Sequence, residues 1–275
     1  MAEILGFDAF SPSEISEKVE KVGVVKAHLK TWQSLMLGML AGGFIGLGAL
    51  YYTLVVSDTQ LSFAVSRVLG GMTFSLGLIL VVVGGAELFT GNNLLVMAWA
   101  ERKITTTELL RNWVLVYVAN AIGAMGLAVI VYFSHHAGMN QGAVATAYVK
   151  IAAAKTALPF AEAFLKGVLC NLLVCLAVWM ALAGRSVTDK VIVIVFPISA
   201  FVAAGFEHSV ANMYFIPLGI LLKDSVTVAG LDVSTLNWEG FAGNLLPVTL
   251  GNIFGGSVLV AAIYYIVYRF KRPAG

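Results

Sequence analysis

Long apolar stretches alternate with short polar ones along this chain. Residues 31 to 57, 68 to 86, 112 to 149, 167 to 184 and 240 to 268 contain no charged side chain, and 191 to 222 is interrupted near its middle only by Glu207 and His208. A helix crossing the hydrocarbon core of a bilayer needs about 20 apolar residues, within roughly 17 to 25. The pattern therefore predicts an all-α integral membrane protein with six spans. Spans two and five are broken. The second runs apolar from Val68 to Gly84, breaks at Gly85-Ala86-Glu87-Leu88-Phe89-Thr90-Gly91-Asn92-Asn93 and resumes; the fifth breaks at Ala204-Gly205-Phe206-Glu207-His208-Ser209 and resumes through Asn212 and Met213. Ahead of the first span, residues 11 to 30 read as an amphipathic helix. Ser11 is its N-cap, Pro12 its first helical residue and Glu14 the closing member of a capping box, with Ile15, Val19, Val22 and Val25 along one face.

Composition agrees and excludes other classes. Charged residues make up 12% of the chain and hydrophobic ones 59%, against about 25% charged in an ordinary soluble domain. A cytosolic globule or a disordered chain is ruled out. Of the 17 lysines and arginines, only Arg67, Lys150, Lys155, Lys166 and Lys223 fall in the alternate connections. The excess on the other side predicts both termini in the cytoplasm, with the protein multi-pass in a plasma membrane. Residues 1 to 30 are charged throughout and hold no apolar segment with a cleavage site, so no signal peptide is expected. A net charge of +2 is too small and too scattered for a nucleic-acid partner. Cys170 and Cys175 sit five apart on one helix facing different ways, so no disulfide between them is expected. With no C-x-x-C pair and no soluble phosphate-binding glycine loop, neither metal nor cofactor nor enzyme activity is expected. His135-His136 reads as a solvated pair in an outward loop.

The two halves repeat. Asn112, Asn120 and Gly123 have the spacing N-x7-N-x2-G, and Asn244, Asn252 and Gly255 repeat it. Glu87 is followed five residues later by Asn92, and Glu207 by Asn212. Each unit holds three spans, about 31 to 135 and 160 to 270, so the second copy is inverted in the membrane. The remaining parts are an N-terminal segment, 1 to 30, and a tail, 271 to 275. Irregular backbone at membrane depth is tolerated only where it is buried in protein or lines a watery cavity, and a matched pair of broken helices points to a translocation site.

Candidate chemistry gathers at these breaks. The half-helices that resume there offer backbone N–H groups and a partial positive charge, which suits an anion. Glu87 and Glu207 are read as accepting hydrogen bonds from those N–H groups to hold each loop, with a proton relay as the alternative. His208 is the one side chain at this depth able to change charge near neutral pH. Phe74, Leu78, Leu88, Phe89 and Phe201 fit either core packing or apolar constrictions. Gly38, Gly42 and Gly46, and Gly251 and Gly255, have the small-xxx-small spacing of close helix packing.

Four motifs carry a resemblance: Gly85-Ala86-Glu87-Leu88-Phe89-Thr90, Asn171 through Met180, Gly205 through Met213, and Pro247-Val248-Thr249-Leu250-Gly251-Asn252. In order and at these spans, they resemble the signatures of the formate/nitrite transporter family over roughly residues 10 to 270. That resemblance implies an aquaporin-like six-helix protomer, a homopentamer in the lipid bilayer with one pore per protomer, and passage of small monovalent anions or their conjugate acids: formate, nitrite, hydrosulfide, acetate or lactate, with a proton. It implies Thr90 and His208 at the pore centre, and a cytoplasmic constriction of Leu78, Leu88, Phe89 and Val174. It also implies a periplasmic constriction of Phe74 and Phe201, polar lining from Asn171 and Asn212, and Lys155 attracting anions in the periplasmic vestibule. Phe196-Pro197 through Pro217-Leu218-Gly219 is more similar to formate channels, while Thr90-Gly91-Asn92 and Ala154-Lys155-Thr156 are also similar to nitrite-type members. A pore for water or neutral solutes stays open on architecture alone, although Asn92 and Asn212 lie outside Asn-Pro-Ala boxes.

Overall fold

The computed structural model describes residues 9–270, and within them every regular element is helical. In chain order these are α1 (Pro12–Ala27), α2 (Thr31–Val56), α3 (Phe63–Gly84), α4 (Val96–Ala100), α5 (Thr106–Phe133), α6 (Ala143–Thr156), α7 (Phe160–Ala183), α8 (Val187–Ala204), α9 (Ser209–Leu222), α10 (Trp238–Ile253) and α11 (Ile263–Tyr268). Six helices are long and apolar enough to cross a membrane, with α10, a π-helical stretch and α11 forming one continuous span, Trp238–Tyr268. Residues 1–8 and the tail 271–275 lie outside the described residues.

Local sequence explains where the helices begin. The predicted capping box at Ser11 and Glu14 is present, and Glu14 is held below the usual carboxylate range chiefly by the Ser11 amide. Thr105 with Glu108 and Ser186 with Asp189 start α5 and α8 the same way. Close interhelical packing fixes the rest. A Cβ on Gly123 would lie 1.9 Å from the Met39 carbonyl oxygen, and one on Gly255 2.2 Å from that of Val168, so α5 meets α2, and the π-helical stretch after α10 meets α7, at backbone distance.

The structure adds detail to the spans and corrects two expectations, the buried face of α1 and the setting of His136. The apolar run 112 to 149 is two elements, because the chain leaves α5 through turns containing Asn140, Gln141 and Gly142 at positive φ before α6 begins. The inward face of α1 is Ile15, Ser16, Val19, Glu20, Gly23 and Ala27, while Val25 faces out and Val22 is partly exposed at the rim of the cavity beside Lys26. Gly23 lets α1 approach Leu95 and Ala98, and Glu20 is drawn in by ion pairs with Lys103 and Arg269. Finally, Phe254–Ala262 is π-helical. Cys170 and Cys175 are both buried and unpaired on α7, as expected. His136 differs from a solvated residue, lying half-buried with its ring 6.5 Å from that of Tyr148.

Candidate functional site

The two breaks are built alike. Gly85 (φ 77°) ends α3 and Gly205 (φ 76°) ends α8, each in the left-handed region that glycine enters without strain. The next chain segment is pinned to the preceding long helix, with the Glu87 amide donating to the Leu37 carbonyl at 3.2 Å and the Glu207 amide to that of Lys166 at 3.3 Å. One asparagine then clamps each loop. The Asn120 Oδ1 accepts from the Phe89 amide at 2.9 Å, and its Nδ2 donates to the carbonyls of Gly38 and Glu87 at 2.8 and 2.9 Å. Asn252 repeats this with the Ser209 amide at 2.9 Å and the carbonyls of Gly167 and Glu207 at 2.9 and 3.0 Å. The N-x7-N-x2-G repeat thus supplies the clamp and the close approach beside it.

The glutamates do something other than the sequence suggests. Their carboxylates accept from side chains rather than from the loops' N–H groups, of which the Phe89 and Ser209 amides go to Asn120 and Asn252 and the Glu87 and Glu207 amides to carbonyls of Leu37 and Lys166. Glu87 accepts from Asn92 Nδ2 at 2.7 Å and pairs with Lys26 Nζ at 2.9 Å; Glu207 accepts from Asn212 Nδ2 at 2.6 Å and pairs with Lys155 Nζ at 2.8 Å. Asn112 and Asn244 complete each set, accepting from Asn92 and Asn212 and donating to the carbonyls of Lys26 and Lys155. A buried carboxylate is tolerable only when paired and fully hydrogen-bonded, and each set meets that requirement. Lys26 was not singled out in the sequence. Its position in the last turn of α1, matching Lys155 in the last turn of α6, was the available signal.

Three voids line up through this region. A cavity of about 370 Å³ is walled by Lys155, Glu207, Phe74, Phe201 and His208, and one of about 190 Å³ by Lys26, Glu87, Leu78 and Leu88. Between them lies a pocket of about 10 Å³ lined by Ile45, Phe74, Leu78, Leu88, Val174, Ile198, Phe201 and His208. Phe74 and Phe201 therefore separate the large cavity from the centre, meeting edge to face at 5.8 Å. Leu78 and Leu88 separate the small cavity from it.

Among the residues lining the central pocket, His208 alone is polar. Its Nδ1 accepts from the Ala211 amide at 3.1 Å, capping α9, and its Nε2 lies 3.0 Å from Thr90 Oγ1. Because Nδ1 is an acceptor, a neutral ring carries its hydrogen on Nε2 and donates it to Thr90. Phe201 stacks over the imidazole at 6.1 Å. Behind Thr90, its carbonyl accepts from Asn171 Nδ2 at 3.2 Å and from the Cys175 thiol at 3.4 Å.

Some candidates sit elsewhere. Phe89 lines none of the three voids but turns toward Trp113 and Tyr117, with ring centroids at 6.2 and 4.9 Å, because the Asn120 clamp fixes its backbone. Asn212 is committed to Glu207 and Asn244. Asn171 reaches Asn93 and the Asn252 carbonyl as well as Thr90, and that carbonyl lies just before the π-helical stretch. The first N–H groups of α9 are taken up by Asn252 and His208 rather than left for an anion.

A family model described as formate/nitrite transporter matches residues 13–266. The formate channel FocA of Escherichia coli (strain K12) is 39% identical over 272 residues, covering 95% of each chain. A solved structure titled pentameric formate channel with formate bound superposes with a TM-score of 0.80 at 40% identity, covering 86% of this chain and 97% of that one. A solved FNT family ion channel superposes at 0.79 with 29% identity, over 92% of this chain and 98% of the other. Six spans, paired broken helices, a matching family model over almost the whole length and two close structural neighbours lead to one conclusion: this chain belongs to the formate/nitrite transporter family.

Proposed function

We propose that this chain forms a transmembrane channel for formate and related small monovalent anions, acting as a homopentamer with one pathway in each protomer. The observation that carries this is the line of voids: two charged vestibules joined through a nearly closed apolar centre whose one polar wall is His208. The triads of Lys26, Glu87 and Asn92 and of Lys155, Glu207 and Asn212 hold the broken helices of an inverted repeat and keep the vestibules wet. From the distribution of lysine and arginine, the α1 end faces the cytoplasm and the α6 end the outside.

The physical problem is the apolar centre. An isolated anion there meets a desolvation cost of tens of kcal/mol in the idealised limit. Protonation removes most of it, so the species crossing between Phe74 and Leu78 is the neutral acid. His208, the one polar wall there, offers the acid a hydrogen-bond partner by turning its Nε2–H from Thr90, which itself lines none of the three voids. Since Nδ1 already holds the Ala211 amide, taking a proton there costs the α9 cap, which favours water in the vestibule as the proton's source. Leu88 and Val174 complete the narrow wall on the α1 side.

Formate uptake into proteoliposomes at two pH values tests this. Uptake that rises as external pH falls, without a matching current, supports neutral-acid passage; formate currents insensitive to pH overturn it. Swelling with water or glycerol at rates above formate uptake would instead support a neutral-solute pore.

A further inference from the structure

The larger vestibule carries four cations, Arg67, Lys150, Lys155 and Lys166, but two of them are spoken for. Lys155 is neutralised by Glu207 at 2.8 Å and Lys166 by Glu162 at 2.7 Å. Among the described residues, no carboxylate lies within ion-pair distance of Arg67 or Lys150. Arg67 bonds neutral oxygens instead: its Nε donates to the Ala203 carbonyl at 2.8 Å, its Nη2 to that of Val202 at 3.3 Å and its Nη1 to the Tyr52 hydroxyl at 3.4 Å.

Those two carbonyls belong to the last turn of α8, which ends at the break beside His208. A helix C-terminus carries partial negative charge, so uncovered it would repel an anion reaching Phe201. The guanidinium, reaching across from the second turn of α3, covers that end and leaves a full positive charge in its place. The smaller vestibule has no counterpart. The spacing that relates Gly85 to Gly205 relates Arg67 to Val187, and the carbonyls of Val82 and Val83 receive no side-chain donor among the described residues. Among the described residues that line it, Lys26 is the one cation, and it is held by Glu87.

We propose that Arg67 is a specificity-determining residue of the larger vestibule: it turns the carbonyl end of α8 from a negative wall into a positive one, so that monovalent anions are captured more readily at the α6 face than at the α1 face. This rests on the anion-channel function proposed above.

The test is formate uptake by proteoliposomes of known sidedness, titrated from each face, for the parent, Arg67→Gln and Arg67→Lys. Arg67→Gln should raise the half-saturating formate concentration at the α6 face on the order of three- to tenfold, with a much smaller change at the α1 face. Arg67→Lys should restore capture, because it keeps the charge while giving up the fork. Equal shifts at both faces, or no shift at either, overturn the inference. So does failure of Arg67→Lys alongside Arg67→Gln with a lowered maximal rate, the mark of a purely structural cap. Where Arg67→Gln does not assemble, the parent alone decides. Its α6-face advantage should vanish in about 1 M impermeant salt, where the screening length falls to roughly 3 Å, and an advantage that survives such salt overturns the inference. A parent that carries no formate overturns the function itself, whereas a parent that carries it equally from both faces overturns only this inference.

Discussion

At the break between α3 and α4, Asn120 clamps the Phe89 amide and two carbonyls, and at the break between α8 and α9, Asn252 clamps the Ser209 amide and two carbonyls at nearly the same distances. The residue after the first glutamate is Leu88; the residue after the second is His208. One half therefore presents a methyl-rich wall and the other an imidazole to the same small void. Beyond the breaks the halves diverge further. The first resumes as a short 3-10 segment, Gly91–Leu95, and the five residues of α4, whereas the second resumes as the 14-residue α9. The lysines differ too. Lys26 is held by both Glu87 and Asn92, while Lys155 pairs with Glu207 alone and lies 5.6 Å over the Phe215 ring. A shared hydrogen-bonded frame sets the position of both loops, and single side chains on it set the chemistry.

The strongest way to break this comparison is to attack the frame. Asn120→Leu and Asn252→Leu each strand an amide and two carbonyls in the dry interior, at about 1–3 kcal/mol per group. Both should lose the folded oligomer, read by size-exclusion chromatography in detergent, and survival of either one means the clamps are not equivalent. Next in size is the centre. His208→Leu copies the first half's residue into the second and removes a hydrogen bond to a neutral partner, about 0.5–1.5 kcal/mol. Formate flux should fall roughly two- to tenfold, and parental flux in this variant would mean the imidazole is dispensable.

A gentler probe is external pH. A carboxyl group like that of formate titrates near about 4, so between neutrality and that point each unit of acidification raises the neutral acid about tenfold. Initial uptake should climb with it, and a flat profile would point to anion permeation. The smallest expected effect separates the two turns. Alanine at Gly85 or Gly205 must adopt a left-handed conformation costing roughly 1–2 kcal/mol. At Gly205 its Cβ would also sit 2.9 Å from the Arg67 guanidinium, whereas nothing lies within 4 Å at Gly85. Thermal midpoints should drop in both variants and further in Gly205→Ala; the reverse order would mean that Arg67 yields freely.

Much of this was legible in the chain. Charge-free runs marked the spans, the glycines with their following glutamates marked the breaks, and the asparagine spacing marked the repeat, although its role as a clamp emerged only from the hydrogen bonds of Asn120 and Asn252. Lys26 was one of several lysines in and around α1, and its place in the last turn, like that of Lys155, gains meaning only from its contact with Glu87. The turn of Phe89 toward Trp113 and Tyr117 left no trace in the pattern. In a membrane protein the lipid-facing and core-facing sides of a helix are both apolar, so hydrophobic periodicity does not report rotation.

By itself, then, the sequence determined the number of spans, where two of them must break and which polar residues recur there, since each follows from local length, backbone satisfaction or spacing. Tertiary structure decided which partner each polar group takes. It closed the salt bridges from α1 and α6 onto the two glutamates, set His208 Nε2 against Thr90, opened the Asn252 carbonyl to Asn171 and laid Arg67 over the end of α8. These contacts join residues far apart in the chain, and their existence depends on helices meeting at backbone distance, which no single segment encodes.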